Sequence, residues 1–218
     1  MKALFINGSP RKNWNTHKLL ESAMKGTNDS GAETELIHLY DFTFKGCVSC
    51  FACKLKGNKT NGVCAIRDVL RPVLEKANQS EIVVIGSPIY FSYPTGPVRS
   101  FMERLMFPVL SYNKEKPATI PSSTRATAMI YAMGAPKQYA ESLNYPIILG
   151  ENERFLRNLF GYCESMCSYY TYQFNDLSRY EASAFDEESK AKYRDEQFPK
   201  DLQAAYELGK RLVEKAKA

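Results

Sequence analysis

Residues 5–20, FINGSPRKNWNTHKLL, decide how this chain folds. An apolar run stops at Gly8, crosses Ser9, Pro10 and Arg11 and two asparagines, and resumes with helical spacing behind Thr16. That order reads as a strand, a tight loop and a helix. Gly8 permits close backbone approach, and Pro10 fixes its own φ. Ser9, Asn13, Asn15 and Thr16 supply hydroxyl and amide donors, and Arg11 supplies a cation. The helix behind them offers unpaired N–H groups at the positive end of its dipole, so the loop reads as a monophosphate cradle. Neither G-x-G-x-x-G nor G-x-x-x-x-G-K-[ST] occurs, which argues against a dinucleotide fingerprint and a nucleoside triphosphate loop. A turn ending in an ordinary N-cap at Asn15 or Thr16 would use the same residue types.

The same rhythm continues along the chain. Apolar runs predict strands over residues 3–7, 34–39, 81–86, 126–132 and 166–173, with helices over 16–25, 68–78, 97–110 and 151–159. A last helical stretch spans 186–217 and is expected to break or kink near Pro199. Runs such as EIVVIG suit strands covered on both faces. The expected fold is therefore α/β, a three-layer doubly wound sheet of five parallel strands, with residues 1–218 forming one domain. Such sheets bind ligands beyond the carboxyl ends of their strands, where strand order reverses. The loop after the third strand reads GSPIYFSYPTGPVRSFMERL, and Tyr90, Phe91 and Tyr93 offer flat surfaces to a flat ring. Backbone groups of Pro88 to Phe91 would run along that ring's polar edge, and Pro97 sits at a favourable first helical position. Packing of these aromatics under a neighbouring subunit is the competing reading.

Composition narrows the function classes. The chain has 218 residues, 44% of them hydrophobic and 24% charged, with a formal charge of +5. That excess suits small anions, and no basic cluster with interleaved aromatics points to nucleic acid. No apolar run approaches the ~20 residues of a membrane span, and MKALFING lacks the features of a signal peptide, so a cytoplasmic protein is expected. Neither His17 nor His38 lies near a persuasive nucleophile, which argues against a hydrolase triad. His17 reads as an exposed surface residue, with contact to the phosphate as the alternative. Cys163 and Cys167, in CESMC, read as packing residues at or just before the last strand.

The pair GSPR…NT and GSPIYF…TGPVRSFMERL resembles the flavodoxin-like NAD(P)H-dependent FMN reductases, a resemblance carried by motif over residues 1–106. With the cysteine-rich loop at 46–64, GCVSCFACKLKGNKTNGVC, it is similar more narrowly to the iron–sulfur flavoprotein branch. The resemblance implies an FMN phosphate on Ser9, Arg11, Asn15 and Thr16, and an isoalloxazine lined by Pro88, Ile89, Tyr90 and Phe91. It also brings Met133 and Gly134 of the fourth-strand loop to the flavin. It further implies a homodimer or homotetramer, for which residues 113–125 and 137–152 are candidate contacts. Trp14 departs from the family pattern, which commonly has a small residue there; it would cap the phosphate or pack on a partner chain.

Cys47, Cys50 and Cys53 are spaced C-x2-C-x2-C, and Cys64 follows after ten residues. Two-residue gaps let a short loop wrap a [4Fe–4S] cube, but the last gap is longer than in the resembled branch. A cluster, reduced thiols and structural zinc all stand as readings of this loop. Three functions follow. The leading one is an oxidoreductase reduced by NAD(P)H that passes electrons to a small acceptor such as a quinone, free flavin or nitro compound. The others are an iron–sulfur flavoprotein electron carrier reduced by ferredoxin, and a non-catalytic metal- or thiol-sensing module. No obligatory catalytic side chain is expected, because a flavin carries its own reactivity.

Overall fold

Period-two burial organises the sheet. In the computed structural model, which describes residues 1–57, 60, 62–114, 125–184 and 186–218, Leu4 and Ile6 face one side of the first strand and Ala3 and Phe5 the other. Strands β1 (Lys2–Asn7), β2 (Glu33–His38), β3 (Ile82–Tyr90), β5 (Arg125–Ala132) and β6 (Gly161–Ser168) run parallel in the order β2-β1-β3-β5-β6. A two-residue strand, β4 (Tyr93–Pro94), folds back antiparallel on the end of β3. This is the expected flavodoxin-like order, with the switch point between β1 and β3.

Two helical layers cover the sheet. Helices α1 (Asn15–Asp29) and α7 (Phe198–Lys217) bury Leu19, Leu20, Leu208 and Leu212 against Phe5, Val84 and Ile130. On the other face α2 (Arg71–Gln79), α3 (Gly96–Met106) and α5 (Tyr145–Phe160) bring Leu74, Phe101 and Leu156 onto Leu4, Ile85 and Met129. Short helices α4 (Lys137–Ser142) and α6 (Glu187–Lys192) flank these layers. The chain does not leave the helical conformation near Pro199; a π-helical segment, Tyr193–Gln197, interrupts the regular helix between α6 and α7, with Pro199 in the first turn of α7. Among the described residues no helix is long and apolar enough to cross a membrane.

Several expected boundaries move. β3 runs four residues beyond Gly86 because Gly86, Ser87 and Pro88 stay in register with Ile130, Tyr131 and Ala132 of β5. Pro88, Ile89 and Tyr90 are therefore strand residues. Phe91 and Ser92 form the tip of the β3–β4 hairpin, both at positive φ (50° and 73°), the conformation of a type I′ turn. The last strand is Gly161–Ser168, earlier than residues 166–173, and YYTYQF is a loop. High β-propensity in that tyrosine run misplaced the strand, while Gly161 (φ 95°) turns α5 directly into β6 without a linking loop. Cys163 and Cys167 lie within β6, and burial pushes the Cys163 thiol up to about 12. Of residues 113–125, residues 115–124 lie outside the described set. Residues 137–152 form α4 and the first half of α5, with Tyr139 and Ile147 exposed.

α1 and α7 meet backbone to backbone. A Cβ on Gly209 would stand 2.0 Å from the Ala23 carbonyl oxygen, and one on Gly26 would stand 2.0 Å from that of Tyr206. Thr27 donates from Oγ1 to the Ala23 carbonyl (2.9 Å) and the Gly209 carbonyl (3.2 Å) across the same crossing. Gly209→Ala must spread the two helices, at a cost of ~1–3 kcal/mol. Urea denaturation should show a midpoint lowered accordingly; an unchanged midpoint would mean that the crossing is not close-packed.

Candidate functional site

The first loop is stapled to the third. Gly8 N–H donates to the Gly86 carbonyl (2.8 Å), and Thr95 Oγ1 donates to the Gly8 carbonyl (2.8 Å). No side chain fits at position 8, because a Cβ there would stand 2.0 Å from Val98 Cγ2. Ser9 N–H donates to Asn7 Oδ1 (2.8 Å), and Arg11 N–H donates to Ser9 Oγ (3.1 Å), which fixes the loop from within. α1 then starts with Trp14 as its N-cap residue; no side chain caps it, and its first turn holds no acidic residue. The ordinary N-cap reading of Asn15 or Thr16 therefore does not hold. Asn15 Nδ2 instead donates to the Tyr172 carbonyl (2.7 Å).

The loop following β6 forms a wall that the sequence reading did not include. Trp14 Nε1 donates to the Tyr172 carbonyl (2.9 Å), and Arg11 donates to the Gln173 carbonyl (2.5 Å) while lying 5.2 Å from the Trp14 ring. Trp14 thus ties the first loop to the last within one chain. Thr171 N–H donates to the Met133 carbonyl (2.9 Å) and Tyr170 N–H to that of Ala135 (2.9 Å), tying together the loops that follow β5 and β6. These bonds enclose a cleft of about 200 Å³ lined by Ser9, Arg11, Asn15, Thr16, Pro88, Ile89, Tyr90, Met133 and Gly134. Trp14, Ala132 and residues 171–174 complete it. Of the expected residues Asn13 does not line the cleft, and Phe91 stands 98% exposed at the hairpin tip. His17 is largely buried, with its ring stacked on His38 (5.5 Å between centroids), and does not line the cleft.

The cleft's chemistry is asymmetric. At the α1 end, hydroxyls, amides, uncapped helix N–H groups and a guanidinium favour an anion. At the β3–β5 end, Pro88, Ile89, Tyr90 and Met133 offer apolar and aromatic surface. Gln173 Oε1 is buried at this cleft and has no hydrogen-bond partner among the described residues, an acceptor that a ligand N–H would satisfy.

The four loop cysteines line a second cavity. Cys47, Cys50, Cys53 and Cys64 surround about 10 Å³ together with Phe51, Glu103, Arg104 and Phe107. As folded, no group of three or more Cys, His, Asp or Glu among the described residues stands in metal-ligating geometry, although the donors converge. Burial raises the Cys53 thiol above its ordinary value.

A buried lysine braces the main cleft from behind. Lys190 Nζ donates to the Thr171 carbonyl (3.2 Å) and the Gly134 carbonyl (3.3 Å), and lies 4.1 Å from the Tyr170 ring centroid. Burial pulls its pKa down to about 8. Between about pH 8 and the ordinary lysine value the unfolded chain holds a proton that the folded chain has released, so this group's contribution to stability rises with pH there. The difference in unfolding free energy between wild type and Lys190→Met should shift toward wild type between pH 7 and pH 10. A constant difference would place Lys190 in water.

A sequence model of the NADPH-dependent FMN reductase family matches residues 1–143. An iron-sulfur flavoprotein of Archaeoglobus fulgidus is 43% identical over 104 residues, 48% of this chain and 48% of that protein. Another from the same organism is 31% identical over 145 residues, 66% of this chain and 61% of the relative. The chain thus spans about half the length of the first curated relative and less than two thirds of the second. Among solved structures, an NAD(P)H:quinone oxidoreductase from Methanothermobacter marburgensis superposes with a TM-score of 0.68 at 13% identity, covering 97% of this chain and 96% of that one. That likeness establishes the shared fold.

Proposed function

The chain belongs to the NADPH-dependent FMN reductase family, and on that premise we propose that it is an FMN-dependent oxidoreductase acting as one unit over residues 1–218. It would take electrons from NAD(P)H and deliver them to a small acceptor such as a quinone, a free flavin or a nitro compound. The observation that carries this reading is the polarity of the cleft: an uncapped helix start with Ser9, Arg11, Asn15 and Thr16 at one end, an aromatic and apolar wall at the other. A phosphate on a sugar-like tail fits the first end, and a flat heteroaromatic ring fits the second. The unpartnered Gln173 Oε1 supports a ring bearing an N–H at its edge.

When bound, FMN supplies the hydride-accepting ring and releases electrons singly or in pairs. The protein's part is to bind, orient and exclude. Arg11 spends one donor on the Gln173 carbonyl and keeps the others of its guanidinium for a dianion. Pro88, in register with Ala132 of β5, and Ile89 and Tyr90, paired with β4, fix one side of the ring site, and Met133 and Gly134 fix its floor. Lys190 keeps the Gly134 and Thr171 carbonyls turned toward itself and away from the ligand.

The cysteine loop adds a second reading, an electron carrier that passes electrons between a [4Fe–4S] cluster and the flavin with ferredoxin as donor. It is favoured by the convergence of Cys47, Cys50, Cys53 and Cys64 on one cavity, and by Arg104 Nε, buried at that cavity without a hydrogen-bond partner among the described residues. Both relatives described above are named iron-sulfur flavoproteins. The ~10 Å³ space would have to open as the loop takes up a cube. Assembly as a homodimer or homotetramer is part of the proposal, with the exposed side of α4 and α5 as a contact surface.

Stopped-flow mixing of FMN-loaded protein with NADPH, NADH and reduced ferredoxin tests the donor. Rapid bleaching by a nicotinamide supports the oxidoreductase, bleaching by ferredoxin alone supports the carrier, and absence of FMN binding leaves a sensing module. Arg11→Ala should weaken FMN by ~1.5–3 kcal/mol, the loss expected for a charge-assisted hydrogen bond. An unaltered FMN isotherm would remove Arg11 from the phosphate site.

A further inference from the structure

Arg104 occupies an unusual place. It sits on α3 with its side chain fully buried, yet it carries a charge. Burial works against that charge, but the Asp68 carboxylate and the Cys64 thiol beside it more than restore the guanidinium. One fork faces Asp68 in bidentate geometry, Nη1 to Oδ2 at 2.6 Å and Nη2 to Oδ1 at 2.8 Å. The same two nitrogens also reach backbone: Nη1 donates to the Lys45 carbonyl (3.2 Å) and Nη2 to the Ile66 carbonyl (3.4 Å). Lys45 lies two residues before Cys47, and Ile66 lies two residues after Cys64. A single guanidinium therefore joins the entry and the exit of the whole cysteine loop.

Neighbouring groups on α3 work in the same direction. Glu103 Oε2 accepts the Cys47 N–H (3.0 Å). Lys54, from inside the loop, donates to the carbonyls of Phe107, Pro108 (3.3 Å) and Leu110 (2.5 Å) beyond the helix end. Asp68 in turn accepts the Leu70 N–H (3.2 Å) ahead of α2, so the acid that holds Arg104 is itself fixed.

We infer that Arg104 is the positioning residue that makes Cys64 the fourth member of the Cys47–Cys50–Cys53 group, closing across the ten-residue gap what spacing alone leaves open, with its Nε–H directed to thiolate sulfur. This rests on the reading of the four cysteines as a site for a soft metal or a cluster. The physical reason is closure entropy. A long segment brings its ends together only at a cost, and the fork offsets that cost at the two backbone points nearest the terminal cysteines. A buried N–H without an oxygen partner is tolerable beside sulfur carrying negative charge.

The test uses the full-length chain under argon with Cd²⁺ alone as probe, followed by the thiolate-to-metal charge-transfer band, in wild type, Arg104→Lys and Asp68→Asn. FMN binding in each variant reports whether the fold is intact. Wild type should take one Cd²⁺ per chain, and Arg104→Lys should bind it at least ~tenfold more weakly while FMN binding is retained. Cys64→Ser should weaken Cd²⁺ in wild type and cost little more in the Arg104→Lys background, because Cys64 is by then already out of place. In parallel, alkylation of metal-free protein read by mass spectrometry should show Cys64 reacting severalfold faster in Arg104→Lys than in wild type. Equal Cd²⁺ affinity, or additive losses in the double variant, overturns the inference. A wild type that takes no Cd²⁺ refutes the metal reading itself, and an unchanged Cys64 alkylation rate refutes the clamp whatever the metal result.

Discussion

The contact on which the site depends is the pair of hydrogen bonds through Gly8. Its N–H reaches the Gly86 carbonyl and its carbonyl receives the Thr95 hydroxyl, so a loop that leaves β1 toward one face is tied to the strand whose helix leaves toward the other. In a doubly wound sheet this crevice opens wherever connections diverge. Here it takes a defined width because Val98 leaves no room for a side chain at position 8. An anion-favouring helix start and an aromatic strand end are thereby held side by side.

The second constraint comes from the far end of the chain. The Tyr172 carbonyl receives both Trp14 Nε1 and Asn15 Nδ2, and the Gln173 carbonyl receives Arg11. Three residues of the first loop, Arg11, Trp14 and Asn15, and two of the β6 loop are thus parts of one hydrogen-bonded frame. Lys190, on α6, secures the frame from behind by holding Gly134 and Thr171. α3 connects this frame to the cysteine loop: its cap residue Thr95 touches Gly8, while Glu103 and Arg104, later in the same helix, hold Cys47 and the loop ends. Two candidate redox sites therefore share one rigid element.

Much of this was legible in the sequence, for physical reasons that differ by position. EIVVIG announced a strand buried on both faces, and the GSPR loop announced a helix start with donors facing outward. Ser9, Arg11, Asn15, Thr16, Pro88, Ile89, Tyr90, Met133 and Gly134 do meet in one cleft. The last strand was misread because GYCESMCS is an edge strand with polar alternation, whereas YYTYQF has the aromatic content of a strand but turns away at Tyr170 (φ 53°). Losing that boundary hid Thr171, Tyr172 and Gln173. Their only signal was proximity to a strand end, and it was counted to the wrong residue. Phe91 looked like a ring platform until its positive φ placed it at a hairpin tip, and His17 looked exposed until it stacked on His38. Arg104 carried no local signal at all, since its partners Lys45, Ile66 and Asp68 come together only through the tertiary fold.

The central claim is that the cleft recognises a flavin by its phosphate end first. The most direct measurement is a parallel titration of the purified chain with FMN and with riboflavin, which differ only in that phosphate. The account predicts one FMN per chain, bound roughly a hundredfold or more tighter than riboflavin, equivalent to about 2.7 kcal/mol or more. Equal affinities for the two, or no binding of either, would contradict it.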